Sequence, residues 1–154
     1  MEIVLTVNKK DHHVIVEPDE MLLDTLRRLG YKSVKKGCDT SNCGICSVSI
    51  DHKLVPSCSY LSVRAQGKDI LTVEGLEEEA RLIGESLTRE GVEQCGYCSP
   101  SLVVAIHTML EELKQPTEDE IKHYLAGNMC RCSGFEGHHR AIKHHMEVNL
   151  NGSQ

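Results

Sequence analysis

The stretch Cys38-Asp-Thr-Ser-Asn-Cys43-Gly-Ile-Cys46, answered by Cys58 after eleven intervening residues, decides how the first half of this chain is read. Three thiols in a C-x4-C-x2-C loop with a fourth at a distance is a 2Fe-2S spacing. Two irons bridged by sulfide need four thiolates converging from one side. A tight loop between Gly37 and Gly44 supplies most of them with its amides turned toward anionic sulfur, and a hairpin brings the last. A four-cysteine zinc site is the alternative, but such sites use two short paired knuckles, which a loop with one remote partner matches poorly.

The segments flanking this loop read as strands around one helix. Ile3, Leu5 and Val7 alternate, and His13–Val16 follow a turn at Asn8–Asp11, which predicts an opening hairpin. Pro18 and Asp19 introduce Leu22, Leu23, Leu26 and Leu29 at helical spacing, and Gly30 stops that helix. Beyond the cysteines, Ser47–Ile50 and Leu54–Cys58 flank the turn Asp51-His52-Lys53, and Ile70–Val73 supplies a last strand. The expected unit is α+β.

After Glu74 the periodicity becomes helical. Leu76–Glu90 predicts a helix with the acids Glu77, Glu78 and Glu79 in its first turn and Gly91 at its end. Ser99 and Pro100 open a longer one carrying Leu102, Val103, Ile106, Met109, Leu110 and Leu113, and Pro116 ends it. Thr117 with Glu120 forms a capping box for a short helix to Leu125, closed by Gly127, and Ser133 with Glu136 is expected to cap a last helix through Ala141 and Ile142. Four such stripes bury one another in a bundle. The expected domains are therefore 1–76 and 77–154, with a frayed tail from Asn149 to Gln154.

A second set of cysteines lies in this helical half. Cys95 and Cys98 directly precede the helix opened by Pro100, whose free amides and positive dipole end favour bound thiolates. Cys130 and Cys132 form C-x-C on the loop between the last two helices. A thioredoxin-like redox pair belongs in a βαβ setting, so a four-thiolate site joining two helix-connecting loops is the better reading. His138, His139, His144 and His145 are read as a polar helix face rather than metal ligands, and Lys35 and Lys36 as a solvated turn.

Composition narrows the function. With 17 Lys and Arg against 23 Asp and Glu in 154 residues the formal net charge is −6, the wrong sign for a nucleic-acid binder. Eight cysteines are too sparse for a disulfide scaffold, no apolar stretch approaches a membrane span, and the short apolar run Ile3–Val7 lacks the pattern of a signal peptide. A cytoplasmic chain with reduced thiols is expected. No acid–base pair, activated nucleophile or phosphate-cradling loop is apparent, which places substrate chemistry elsewhere.

Four motifs together resemble one family. Ser33-Val-Lys-Lys-Gly-Cys38, Cys43-Gly-Ile-Cys46, Gln94-Cys-Gly-Tyr-Cys-Ser-Pro100 and Gly127-Asn-Met-Cys-Arg-Cys-Ser-Gly-Phe135 are similar to those of the iron-sulfur subunits of molybdenum hydroxylases, a group that includes xanthine, nicotinate and aerobic carbon monoxide dehydrogenases. The resemblance implies a plant-ferredoxin-like β-grasp domain followed by a four-helix bundle, each with one 2Fe-2S cluster. Cys95, Cys98, Cys130 and Cys132 would hold the inner cluster, with Gln94 and the Cys132 region at the pterin edge of a large molybdopterin subunit. Cys38, Cys43, Cys46 and Cys58 would hold the outer one, facing a FAD subunit. Implied too are a hetero-oligomer, such as a dimer of heterotrimers, and hydroxylation of a heteroaromatic ring or aldehyde at molybdenum, with purines the modal substrate. The sequence departs from the pattern at Ser41, Asn42, Ser101 and His138. A free two-cluster carrier and a zinc-stabilised interaction module are the readings from other classes.

Overall fold

The computed structural model describes residues 1–150 of the chain, so residues 151–154 of the expected tail lie outside it. β1 (Glu2–Val7) and β2 (Lys10–Ile15) pair antiparallel through the two-residue turn Asn8-Lys9, whose φ angles are 51° and 64°. Positive φ at both positions matches the twist of the flanking strands, so β2 starts earlier than the apolar alternation suggests. β3 (Ser47–Ile50) and β4 (Lys53–Pro56) repeat the device at Asp51-His52, with φ of 49° and 63°. Cys58 therefore lies beyond the strand, on a single 3-10 turn Ser57–Ser59, where the Ser57 hydroxyl donates to the Cys46 carbonyl over 2.7 Å.

β5 (Asp69–Leu71) pairs parallel to β1 and antiparallel to β3, giving the order β2-β1-β5-β3-β4. It stops short of Val73 because the Asn8 side chain replaces the ladder: its Oδ1 accepts from the Thr72 amide and its Nδ2 donates to Thr72 Oγ1, both at 2.9 Å. α1 (Leu22–Arg28) lays Leu22, Leu23 and Leu26 on one sheet face against Leu5, Val7, Val48 and Ile70. All four residues of β3 are buried. Side chains alternate across a strand, so Val48 and Ile50 enter the α1 core while Ser47 and Ser49 face the other side, where a helix of the second half crosses β3 and β4.

That helix is α3 (Ser99–Leu113), and with α2 (Glu77–Arg89), α4 (Glu118–Tyr124) and α5 (Phe135–His145) it surrounds a second core of Ile83, Leu87, Ile106, Met109, Ile121 and Ile142. Leu54, Leu71 and Val73 of the sheet half also pack against this core. At α4 the Thr117 amide donates to Glu120 Oε2 over 2.7 Å and Thr117 Oγ1 accepts from the Glu120 amide over 3.3 Å, the expected reciprocal cap. α5 is different. Ser133 donates its hydroxyl to the Val92 carbonyl over 2.5 Å, and Gly134, at φ 73°, occupies the cap position instead.

Three of the four α5 histidines do not form a polar face, whereas His144 is half-buried beside Arg89. His138, His139 and His145 are only 5%, 9% and 5% exposed. Neither ring nitrogen of His139 has a hydrogen-bond partner among the described residues. Burial depresses the pKa of His139, opposed by Glu136 and Glu118 and reinforced by Lys122, and depresses that of His145, opposed by Glu79 and the Leu82 carbonyl and reinforced by His144. These imidazoles fold neutral, as flat fillers of the helix interface.

Unfolded histidine titrates near 6.5, and a depressed folded pKa means that the unfolded chain binds more protons in the window below that value. The contribution of these residues to stability is complete above that pH and is lost as pH falls. A His139→Leu, His145→Leu variant should show a flatter dependence of thermal midpoint on pH between about 7 and 5 than the wild type. An equally steep dependence would place the titration elsewhere.

Candidate metal centres

In the first loop the backbone is shaped around sulfur. The amides of Cys43, Thr40 and Asn42 point at Cys38 and, with the Cys43 thiol, lower the Cys38 pKa to about 6. A Cβ on Gly37 would stand 2.6 Å from Ile45 Cδ1 and 3.1 Å from Cys43 Sγ, so a side chain there would require Ile45 to shift. The Cys43 thiol adjoins that of Cys38, and Cys46 that of Cys58, with the two pairs close enough for Cys58 to influence Cys43. Burial pushes the Cys43 thiol up and raises Cys46 to about 11.

The second set has the same paired form. Cys98 caps α3 and adjoins Cys130, while Cys95 adjoins Cys132. Burial, and then the Cys130 thiol, push Cys98 up to about 12. Cys130 is also partly desolvated, but the amides of Ser133, Cys132 and Gly134 and the Cys98 thiol outweigh that and lower its pKa. The Ser133 amide reaches Cys130 Sγ over 3.3 Å and the Tyr97 amide reaches Cys95 Sγ over 3.5 Å. Cys95, Cys132 and Gln94 are exposed at this end of the chain.

Among the described residues no three His, Cys, Asp or Glu side chains converge on a point suited to a single ion. The eight thiols stand instead in four pairs, two pairs to a loop region. Soft thiolates presented two by two, beside amides aimed at sulfur, fit the two irons of a 2Fe-2S cluster.

The two regions interlock through their backbones. The Met129 amide donates to the Cys43 carbonyl over 2.8 Å, and Asn128 Nδ2 donates to the Gly44 carbonyl over 3.4 Å. Gly44 has φ 70°, and a Cβ on it would lie 2.2 Å from the Gly127 carbonyl oxygen. A cleft of about 290 Å³ lies beside the contact, lined by Gly37, Ile45, Tyr97, Met129, Arg131 and four of the cysteines. Sequence reading missed Asn128 and Tyr97 as contact residues, because no local pattern marks a residue that bonds across the chain.

Residues 5–76 match the family described as 2Fe-2S iron-sulfur cluster binding domain, and residues 72–143 match the one described as 2Fe-2S binding domain. The chain is 34% identical to the nicotinate dehydrogenase small FeS subunit of Eubacterium barkeri, covering 93% of each. It is 37% identical to the xanthine dehydrogenase iron-sulfur-binding subunit of Escherichia coli O157:H7, covering 85% of each. The chain belongs to the 2Fe-2S small subunits of the molybdenum hydroxylases.

A small subunit of this family is an electron-transfer component of an oxidoreductase complex, and the two matched domains account for two 2Fe-2S clusters. Among solved structures, the quinoline 2-oxidoreductase of Pseudomonas putida 86 superposes with a TM-score of 0.87 at 34% identity, over 100% of this chain and 98% of that one. Three of the residues noted as departures have distinct local settings. Ser41 has φ 58°, the left-handed conformation that glycine serves more easily. Ser101 is buried and donates to the Cys98 carbonyl over 2.9 Å, and His138 is buried beside Cys98 and Cys130.

Two glycines separate backbone strain from contact. Gly67 has φ 73° with open space where a Cβ would go, so Gly67→Ala should cost only the left-handed strain, about 1–2 kcal/mol. Gly44→Ala adds a collision with a backbone oxygen. It should cost more than Gly67→Ala in urea denaturation and lower the iron content of the purified chain; equal losses for the two variants would show that the interlock is dispensable.

Proposed function

We propose that this chain conducts electrons from a large molybdopterin-binding subunit to a FAD-binding subunit in a cytoplasmic hydroxylase assembled as a hetero-oligomer, for which a dimer of heterotrimers is the form expected. Residues 1–76 form a plant-ferredoxin-like β-grasp domain and 77–154 a helical domain built as a four-helix bundle. A 2Fe-2S cluster held at each site would supply one-electron transfer with no covalent bond made or broken.

Cys38 with Cys43 and Cys46 with Cys58 hold the two irons of the outer cluster, and Cys95 with Cys132 and Cys98 with Cys130 those of the inner cluster. The pairing of thiols in both regions supports this assignment. Gln94 and Cys132 meet the pterin.

The observation that carries the direction of the wire is the exposure of Cys95 and Cys132 beside Gln94, with the apolar side chains of Tyr97, Met129 and Phe135 also open at 45%, 46% and 42%. An edge of the helical-domain cluster site is thus presented to a partner, whereas Cys43 and Cys46 are buried. Large exposed apolar groups around a redox site suit a stable subunit contact better than a free carrier. A purine such as xanthine is the proposed substrate, in keeping with the relatives named as xanthine dehydrogenase subunits; others are named for nicotinate, nicotine and aldehyde.

The native complex should contain molybdenum and FAD, with about four irons on this chain. Its turnover of xanthine should exceed that of nicotinate or aldehydes, and the reverse order would reassign the substrate. Substrate mixed with a Cys46→Ser complex should still reduce the inner cluster while the flavin stays oxidised, as seen by rapid-freeze EPR. In a Cys98→Ser complex the outer cluster should remain unreduced on the turnover timescale. Fast flavin reduction in the Cys98→Ser complex would reverse the order of the wire.

A further inference from the structure

Tyr97 lies between Cys95 and Cys98, yet its side chain engages the other cysteine loop. Its hydroxyl donates to the Lys36 carbonyl over 2.9 Å, and the Lys35 ammonium sits 4.8 Å from its ring centroid while donating to the Tyr97 carbonyl over 3.3 Å. Lys35 and Lys36 immediately precede Gly37 and Cys38; Lys36 keeps an exposed side chain, but Lys35 is drawn onto Tyr97 rather than left solvated. The Met129 amide on the Cys43 carbonyl also joins the residue before Cys130 to a cysteine of the first loop, with Asn128 Nδ2 on the Gly44 carbonyl beside it. The cysteine regions are therefore tied by Met129 and Asn128 at Cys43 and Gly44, and by Tyr97 next to Cys38.

We propose that Tyr97 is a positioning residue that fixes the separation and orientation of the two cluster sites and thereby sets the electronic coupling between them. This rests on the reading that both four-cysteine sets hold clusters. The step it governs is a one-electron transfer in which one cluster is oxidised and the other reduced by a single equivalent, with no bond made or broken. Tunnelling falls steeply with separation, so a small parting of the loops slows the exchange even when both sites stay intact. The Met129 and Asn128 bonds hold the loops at Cys43 and Gly44, and Tyr97 adds a second hold at Lys35 and Lys36, next to Cys38.

The test reads magnetic coupling rather than activity. The full-length chain, loaded with iron and sulfide and fully reduced with dithionite, carries one unpaired electron on each cluster, and low-temperature EPR should show spin–spin splitting. Tyr97→Phe removes the hydroxyl bond and Lys35→Met removes the ammonium; each should reduce the splitting. Tyr97→Leu removes both the hydroxyl bond and the ring beneath Lys35 and should reduce it more than either, with iron, sulfide and visible absorption unchanged. Unchanged splitting in Tyr97→Leu with both clusters present would overturn the inference. Should Tyr97→Leu lose a cluster, unchanged splitting in both Tyr97→Phe and Lys35→Met would overturn it equally. A wild-type chain that cannot take up two clusters would refute the two-cluster reading itself, and this inference with it.

Discussion

The hydrogen bond from the Met129 amide to the Cys43 carbonyl, 2.8 Å long, joins two loops that neither half of the molecule could shape alone. A loop that turns its amides toward sulfur leaves carbonyls facing away, and a carbonyl held away from water needs a donor. Here the Cys43 carbonyl finds its donor in Met129, and the Gly44 carbonyl accepts from the Ser47 amide over 3.1 Å and from Asn128 Nδ2 over 3.4 Å. The requirement passes through the rest of the fold. Gly44 must be bare for the loops to meet, Ser133 must hold Val92 so that the C-x-C loop keeps its course, and α3 must start at Cys98.

The two cysteine sets differ in setting although they share one plan. The first is fastened to the sheet, with Cys46 leading directly into β3 and Cys58 following β4, so the hairpin that completes the core also closes the site. The second is fastened to helix ends. Its Cys98 faces the start of α3, where unpaired amides favour negative charge, while Cys95 and Cys132 stay at the surface. The first set thus has Cys43 and Cys46 buried with Cys38 and Cys58 half-buried, whereas the second has Cys95 and Cys132 open to the surface.

What was legible in the sequence was what local spacing controls. The cysteine intervals, the Leu22–Leu29 stripe, the Thr117 cap and the α3 stripe from Leu102 to Met109 all reappear in the fold, because each depends on residues a few positions apart. The failures share another cause. Ser133 looks like a cap until the Val92 carbonyl, 41 residues away, claims its hydroxyl. His138, His139 and His145 look polar until α5 packs them inward as neutral rings. Lys35 looks solvated until Tyr97 comes to lie beneath it. In each case a partner distant in sequence overrode a sound local preference.

The seam between sheet and bundle also bears on how far this chain can be taken apart. Lys53 at the start of β4 pairs with Glu112 over 3.1 Å, His52 meets Glu111 over 3.0 Å, and Leu54, Leu71 and Val73 are covered only partly by their own half. Cutting the chain near residue 76 would uncover this apolar strip and strand the acidic side chains of α3. The two halves are therefore not independent along this strip, and a transplantable first half would need polar residues at those three positions before it could live alone in water.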